Sequence, residues 1–310
     1  MWATWAAWVC GFSCSRPTSA LSTVWPSPAS VALPKLTQET ARGNRPVGFP
    51  AHTSDKEKGV RAMGRSRVID FHSHILPGID DGSKNTDMSL AMLREMTAQG
   101  VDVCVATPHF YGWRRSVESF LERRTAAWEH LSRRLEDGMP QILLGAEVAF
   151  FLELPELDDL DALCIQGTNI LLLEMPFQQW TDAELDVVTR LCITQGYQVI
   201  LAHLERFLPL QKNRDILERI LMLPVLVQLN AECLLPLFKR KPYLELLRRG
   251  EAHLLGSDCH NLESRPPELG AGRDIIERKL GESVLHRIDQ LGSRLLAEAL
   301  AAEAKEKERL

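Results

Sequence analysis

Five of the nine histidines in this 310-residue chain sit at or just beyond the ends of short apolar runs, in the company of carboxylates. The first such run closes on Asp70-Phe71-His72-Ser73-His74, where two histidines at i and i+2 would share one face of a strand and could grip one metal ion. Later runs end in Thr107-Pro108-His109, Gly145-Ala146-Glu147, Leu173-Glu174, Ala202-His203-Leu204-Glu205-Arg206 and Gly256-Ser257-Asp258-Cys259-His260. A single His or Glu after a strand is ordinarily a hydrogen-bonded loop residue. Six such ends in one chain are different, because acids and imidazoles buried together are costly unless cations hold them. Glu147, Glu174 and Asp258 could bridge ions beside imidazoles, a donor set suited to zinc, manganese or iron rather than calcium. The pattern predicts a polynuclear divalent-metal site. Asp70 is read as pointing to the opposite face of its strand and is not counted as a ligand.

The elements that must position these groups alternate regularly. Strands are expected at 67–73, 102–107, 142–149, 169–174, 198–203, 225–230 and 252–257. Their Val, Ile and Leu content without polar alternation suits buried parallel strands. Amphipathic helices are expected near 86–99, 116–137, 182–195, 213–222, 236–249, 270–280 and 283–305. In the first, Met88, Met92, Leu93 and Met96 form one apolar face and Gly100 marks the stop. Seven β/α units imply an α/β fold with a parallel barrel, which gathers reactive groups at the C-terminal ends of its strands. The domain is expected to span 67–310. Residues 1–66 hold four of the seven tryptophans and many Ser, Thr and Pro without period, so they are expected to be a disordered or non-native extension. The run from Trp2 to Phe12 has the length of a secretory signal but no basic residue before it, and a start at Met63 is the preferred reading.

Composition narrows the partners. A net charge of −5 with no basic stripe argues against nucleic acid as a substrate. Seven scattered cysteines without paired C-x-x-C spacing argue against a disulfide framework and favour a cytoplasmic protein. No stretch is long and apolar enough to span a bilayer. Oligomeric state leaves no mark in the sequence.

The segment from Ile69 to Gly82, with His72-Ser73-His74-Ile75-Leu76-Pro77-Gly78-Ile79-Asp80-Asp81-Gly82, resembles the opening of the PHP (polymerase and histidinol phosphatase) superfamily, and within it the bacterial CpsB/CapC-type tyrosine-protein phosphatases. The pieces around His109, Glu174, His203, Asn230 and Asp258 follow in that family's order, over about residues 67–275. The resemblance implies a distorted (β/α)7 PHP-type barrel holding two or three divalent ions, with manganese favoured. It maps the ligands onto His72, His74, His109, Glu147, Glu174, His203, Asp258 and His260. It also implies a phosphotyrosine protein as substrate, a bacterial tyrosine autokinase of capsule or exopolysaccharide biosynthesis. Leu204 departs from the family's usual Pro, which bears on the loop carrying Arg206.

Such ions would activate water at neutral pH and clamp phosphate oxygens. Arg206 is expected to grip the phosphate with its planar fork, against the simpler role of pairing with Glu205 or a helix carboxylate. Asp81 is expected to ligate a metal or relay a proton, or else to bond the amides of its own turn. Two C-x5-R patterns, Cys10…Arg16 and Cys259…Arg265, raise the possibility of a thiolate phosphatase and are read as chance matches. Two other readings stay open: a phosphatase of a small phosphomonoester such as histidinol phosphate, and a non-catalytic interaction protein with a metal-stabilised barrel.

Overall fold

A computed structural model describes residues 66–301. The expectation for residues 1–66 therefore lies almost wholly outside the described residues. Nine strands carry the architecture: β1 (Ile69–Ser73), β2 (Val103–Ala106), β3 (His109–Phe110), β4 (Gln141–Leu144), β5 (Glu147–Ala149), β6 (Ile170–Glu174), β7 (Gln198–Leu201), β8 (Leu226–Asn230) and β9 (Leu254–Gly256). Two expected strands are each broken in two. Pro108, which has no N–H to give a ladder, divides β2 from β3, and Gly145-Ala146 divides β4 from β5. The seven expected staves remain.

All ladders are parallel, in the orders β1-β2-β4 and β3-β5-β6-β7-β8-β9. The ring closes where Ser73 bridges Cys259 in parallel and where the Asp258 N–H donates to the His72 carbonyl at 2.7 Å. This is the distorted (β/α)7 barrel. Around it run α1 (Thr86–Ala98), α2 (Val117–Ser132), α3 (Asp182–Thr189), α4 (Leu204–Phe207), α5 (Asp215–Leu221), α6 (Lys241–Arg249), α7 (Leu269–Leu280) and α8 (Glu282–Leu295).

Helix ends follow local chemistry. Asn85 caps α1 by accepting from the Met88 N–H, and Gly100 stops it with φ of +76°. Thr181 and Glu184 form a reciprocal capping box on α3. The expected 182–195 helix turns π-helical over Arg190–Thr194, and the expected 116–137 helix stops at Ser132.

Strand residues sort into two cores by parity. Val68, Cys104, Leu171, Val199 and Leu201 face outward and pack with helix residues such as Leu90, Leu93 and Val187. Ile69, Phe71, Val103, Val105, Leu172, Ile200 and Leu254 face inward and fill the barrel. Leu296, Ala299 and Leu300, beyond α8, join that inner core and plug it from the end opposite the strand C-termini. The charged C-terminal stretch therefore has an apolar edge with a structural task.

Candidate metal centre

β1 must present two histidines to the barrel axis, yet Asp70, His72 and His74 share one parity. Strict alternation would put all three on one face, so parity alone could not have set Asp70 apart. The register shows how they separate: Asp70 pairs with Cys104 but Ser73 pairs with Ala106, so a bulge adds one residue between them. Asp70 thus lies in line with Cys104 on the helix side, while His72 turns inward beside Gln228. The Asp70 carboxylate accepts from the Ser257 N–H at 2.8 Å and the His72 N–H at 3.2 Å. Burial pushes its pKa up to about 6.

The eight expected ligands converge. His72, His74 and Glu147 form one group whose donor atoms lie within 4.8 Å of one another; His72, His203 and Asp258 form a second. His74, His109 and His260 make a third, and His109, Glu147 and Glu174 a fourth. Among the described residues these four groups contain the eight and no other residue. Glu147 is the hub. Its Oε2 stands 3.2 Å from His72 Nε2, 3.3 Å from His74 Nε2 and 2.8 Å from His109 Nδ1, while Oε1 meets His203 Nε2 at 2.8 Å.

Of these contacts only Glu147 Oε1 to His203 Nε2 has the geometry of a good hydrogen bond. Buried Glu147 Oε2, Asp258 Oδ1, His109 Nδ1, His203 Nδ1 and His260 Nε2 have no hydrogen-bond partner. His72 Nε2 and His74 Nε2 face each other at 3.1 Å, where two neutral imidazoles offer two lone pairs or one proton between them. Buried polar atoms left this way are costly, and a set of imidazole and carboxylate donors aimed at common points is what a cluster of divalent ions requires. The residues fit the group.

Electrostatics follow from the crowding. Burial opposes ionisation of Asp258, yet His72 and His74 hold it well below the usual carboxylate range. Burial and the neighbouring Glu147 push Glu174 up to about 7. His203 and Asp258 also carry φ of +29° and +52°, two of the three non-glycine residues with positive φ among those described. Strain of that kind persists where the surroundings over-determine a residue, and here it falls on two of the eight.

A second set of side chains holds the first. Asp80 Oδ2 lies 2.8 Å from His74 Nδ1 and accepts from the His109 N–H at 3.0 Å, while Oδ1 accepts from the Gly82 N–H. This fixes His74 with Nε2 facing the cluster. β8 carries no candidate ligand, but its Gln228 Oε1 accepts from the His203 N–H at 2.8 Å and lies 3.4 Å from His72 Nδ1. Gln228 Nε2 donates to Asn230 Oδ1, and Asn230 Nδ2 donates to Asp258 Oδ2, both at 2.9 Å. Gly256 makes room for this: a Cβ there would lie 2.6 Å from His72 Cβ and 2.7 Å from Gln228 Nε2.

Arg206 does not turn to Glu205. Its Nη2 sits 2.7 Å from Asp258 Oδ2 and 3.3 Å from Glu232 Oε1, with Leu204 buried beneath it in the core. Arg265 reaches the same Asp258 oxygen, also at 2.7 Å. Two part-exposed guanidiniums therefore flank the cluster, and sequence reasoning had set Arg265 aside with the chance C-x5-R pattern. Its Cys259 is fully buried, and burial pushes the thiol up to about 12, so no nucleophilic thiolate stands there; Cys10 lies outside the described residues. Asp81 stands at the outer edge, 3.5 Å from His109 Nε2 and 3.6 Å from His260 Nε2, with its carboxyl held below its ordinary value by His260. The neighbouring Asp80, not singled out from sequence, is the more deeply engaged of the two.

Comparison with known proteins gives a consistent picture. Residues 68–294 match the family described as capsular polysaccharide synthesis, CpsB/CapC. The tyrosine-protein phosphatase CpsB of Streptococcus agalactiae serotype V is 29% identical over 228 residues, which is 69% of this chain and 92% of that protein. The tyrosine-protein phosphatase YwqE of Bacillus subtilis is 27% identical over 235 residues, 74% of this chain and 91% of that one. A crystal structure from work on YwqE of Bacillus subtilis and CpsB of Streptococcus pneumoniae, described as unique metal-dependent tyrosine phosphatases, superposes with a TM-score of 0.66. It is 25% identical and covers 74% of this chain and 95% of its own. With the match running from just before β1 into the last turn of α8, the chain belongs to the CpsB/CapC family of capsular polysaccharide synthesis.

Proposed function

We propose that this chain is a metal-dependent phosphomonoester hydrolase acting on phosphotyrosine in a protein, with a bacterial tyrosine autokinase of capsule or exopolysaccharide biosynthesis as its partner. The observation that carries the reading is the convergence of five imidazoles and three carboxylates, five of whose buried polar atoms lack hydrogen-bond partners, beside two guanidiniums. The names of the CpsB and YwqE relatives support the reaction and the residue acted on.

In this reading His72, His74, His109, Glu147, Glu174, His203, Asp258 and His260 hold two or three divalent ions, manganese before zinc or iron. Held by these residues, such ions would supply activation of water at neutral pH and positive charge against the phosphate. The chain's own residues do the rest. Arg206 and Arg265 swing their forks from Asp258 to the phosphate oxygens, a planar match that also neutralises charge. Asp80 and Gln228 keep His74 and His72 presented through Nε2. Asp81, open to solvent beside His109 and His260, ligates at the edge or carries a proton away. The phenolate leaves readily because its pKa is about 10, so a strong general acid is not required. The catalytic domain is 67–310, working in the cytoplasm. No described helix is long and apolar enough to cross a membrane.

Turnover of a phosphotyrosine peptide with manganese, with a chelator and after thiol alkylation tests the proposal. Activity that needs the metal and survives alkylation is expected. Activity that survives chelation, or a clear preference for histidinol phosphate in a parallel assay, overturns it.

A further inference from the structure

Large apolar side chains exposed among the described residues are not scattered evenly. Trp113 follows β3, Leu152 follows β5, Phe177 follows β6, Leu237 and Phe238 follow β8, and Leu262 follows β9. These six of the nine such residues stand on loops leaving the C-terminal ends of strands, the pole that carries the His and carboxylate cluster, while Ile193, Leu221 and Met222 stand at the ends of the helical segments that lead into β7 and β8. Apolar side chains exposed at the pole of a polar buried centre mark a surface suited to a partner.

Two of them, Trp113 and Phe177, are linked to the cluster by aromatic packing. On one side the Tyr111 ring stacks on His109, with centroids 5.2 Å apart and planes 24° from parallel, and Trp113 lies 5.2 Å beyond Tyr111. Phe151 supports Trp113 edge-on and packs so close to the backbone at Gly112 that a Cβ there would lie 2.6 Å from its ring. On the other side Phe177 stacks over His203 at 6.4 Å and leans on buried Phe207 at 4.8 Å. His109 and His203 approach opposite oxygens of one carboxylate, Glu147, each at 2.8 Å. The two aromatic walls therefore flank the same point of the cluster. Trp113 is 60% exposed and Phe177 59%, an unusual expense of apolar surface unless something covers them. Guanidiniums stand among the carboxylates of the mouth: Arg206 and Arg265 line it, and Arg114, stacked 4.8 Å over Tyr111, and Arg115 are exposed near Trp113 in the chain.

We propose that Tyr111 and Trp113 on one side and Phe177 on the other form a slot that receives the aryl ring of a phosphotyrosine whose phosphate lies at the cluster, so that the mouth selects aryl over alkyl phosphoesters. The proposal rests on the function proposed above and names the residues that set its specificity. A phosphotyrosine joins a flat apolar ring to a dianion, and the mouth offers aromatic faces and guanidiniums in that same adjacency. A phosphoserine or a small alkyl phosphate would meet the guanidiniums but leave the walls in water.

The test uses the full chain with manganese and the variants Trp113→Ala, Phe177→Ala and Trp113→Phe. Two readouts are compared: turnover of phosphotyrosine and phosphoserine peptides of one sequence, and affinity for a labelled peptide bearing a non-hydrolysable aryl phosphonate. Each alanine variant is expected to lower kcat/KM for the phosphotyrosine peptide and the affinity for the phosphonate by roughly 3- to 10-fold, the size of an aromatic contact. The effect should sit in KM, with Trp113→Phe restoring most of it and phosphoserine turnover changing less than about twofold. Equal losses on both peptides, or no loss on either, overturn the slot. Wild-type protein that binds the aryl phosphonate through Trp113 yet hydrolyses neither peptide would sink the proposed catalysis and leave the slot standing. Failure to bind the phosphonate sinks the slot itself.

Discussion

The two ends of the barrel both bury their central side chains and are chemically opposite. At the floor, Ile69, Phe71, Val103, Leu172, Ile200 and Leu254 pack against Leu296, Ala299 and Leu300. There Gly292 of α8 lies so close that a Cβ would stand 2.9 Å from the Phe71 ring. At the mouth His72, His74 and Glu147 are wholly buried, yet polar atoms around them lack hydrogen bonds, and His203 and Asp258 hold strained backbone. Apolar burial stabilises the floor without any ligand. The mouth is stabilised only when positive charge enters among its donors. The difference shows how one barrel carries an unfavourable site: the strands are held in place from below and by the outer helices, so their upper ends are free to converge as function demands.

That division predicts that damage at one end should leave the other intact. Asp258→Ala or His74→Ala should lower manganese-dependent turnover of an aryl phosphate by on the order of 10³-fold or more, since His74 is a donor shared between two of the four groups and Asp258 is a donor that also holds Arg206 and Arg265. The melting temperature of the metal-free protein should move little. Circular dichroism melts alongside turnover would decide it, and a variant that loses activity only because it no longer folds would break the comparison.

Leu296→Ala is the mirror experiment. Truncating a fully buried side chain in the barrel plug should cost about 2–4 kcal/mol of stability. Activity per folded molecule, measured well below the melting transition, should stay within about twofold of wild type, on the additivity expected of distant sites. Denaturant unfolding gives the first quantity and active-site titration the second. If activity fell while stability held, the two ends would be coupled and the division wrong.

Much of the mouth was legible in the sequence because parallel strands leave a plain signature. Runs such as Leu171-Leu172-Leu173-Glu174 announce both a buried stave and what stands at its end. The eight donors could be named from such ends because a barrel gathers them whatever their separation along the chain. What escaped reading depends on register and on approach between distant segments. Asp80 and Asp81 are adjacent acids in one turn, and only the folded turn shows that Asp80 reaches behind His74 while Asp81 faces outward. Gln228 and Asn230 end the one stave without an acid or imidazole, so nothing marked Gln228 and only the resemblance touched Asn230, although they tie His72 and His203 to Asp258. The bulge in β1 has no glycine or proline to betray it, and it alone separates Asp70 from His72. The apolar edge of the C-terminal stretch was hidden by its charges, since three inward residues among many polar ones make a weak period.

Metal should act on one end only. Manganese at about 100 times its dissociation constant should stabilise the wild type by roughly 2.7 kcal/mol, and a chelator should remove that gain. Leu296→Ala should keep the whole increment, starting from a lower baseline, whereas His74→Ala should lose most of it. Thermal melts of the three proteins with and without manganese provide the check. An equal increment in all three would mean that the ions bind elsewhere.

The smallest effect expected is the most specific. Asp80 touches no candidate ion site, but it fixes the orientation of His74 and, through the His109 N–H, the approach of a second histidine. Gly82 lets the turn fold this tightly, since a Cβ there would stand 2.5 Å from His74 Cβ. Asp80→Asn keeps the shape but replaces an anionic acceptor with a neutral amide, so the imidazole loses both basicity and its firm hold. Manganese affinity should fall about 10- to 100-fold, as for other carboxylates that support a metal-bound histidine. Turnover at saturating manganese should return near wild type, because the ligands themselves remain. Asp80→Ala, which also abandons the two N–H donors, should recover less. Titrating activity against free manganese separates the cases: a shifted midpoint with a preserved plateau fits a positioning carboxylate, whereas a collapsed plateau in Asp80→Asn would make Asp80 part of the chemistry and move the edge of the functional mouth one layer deeper.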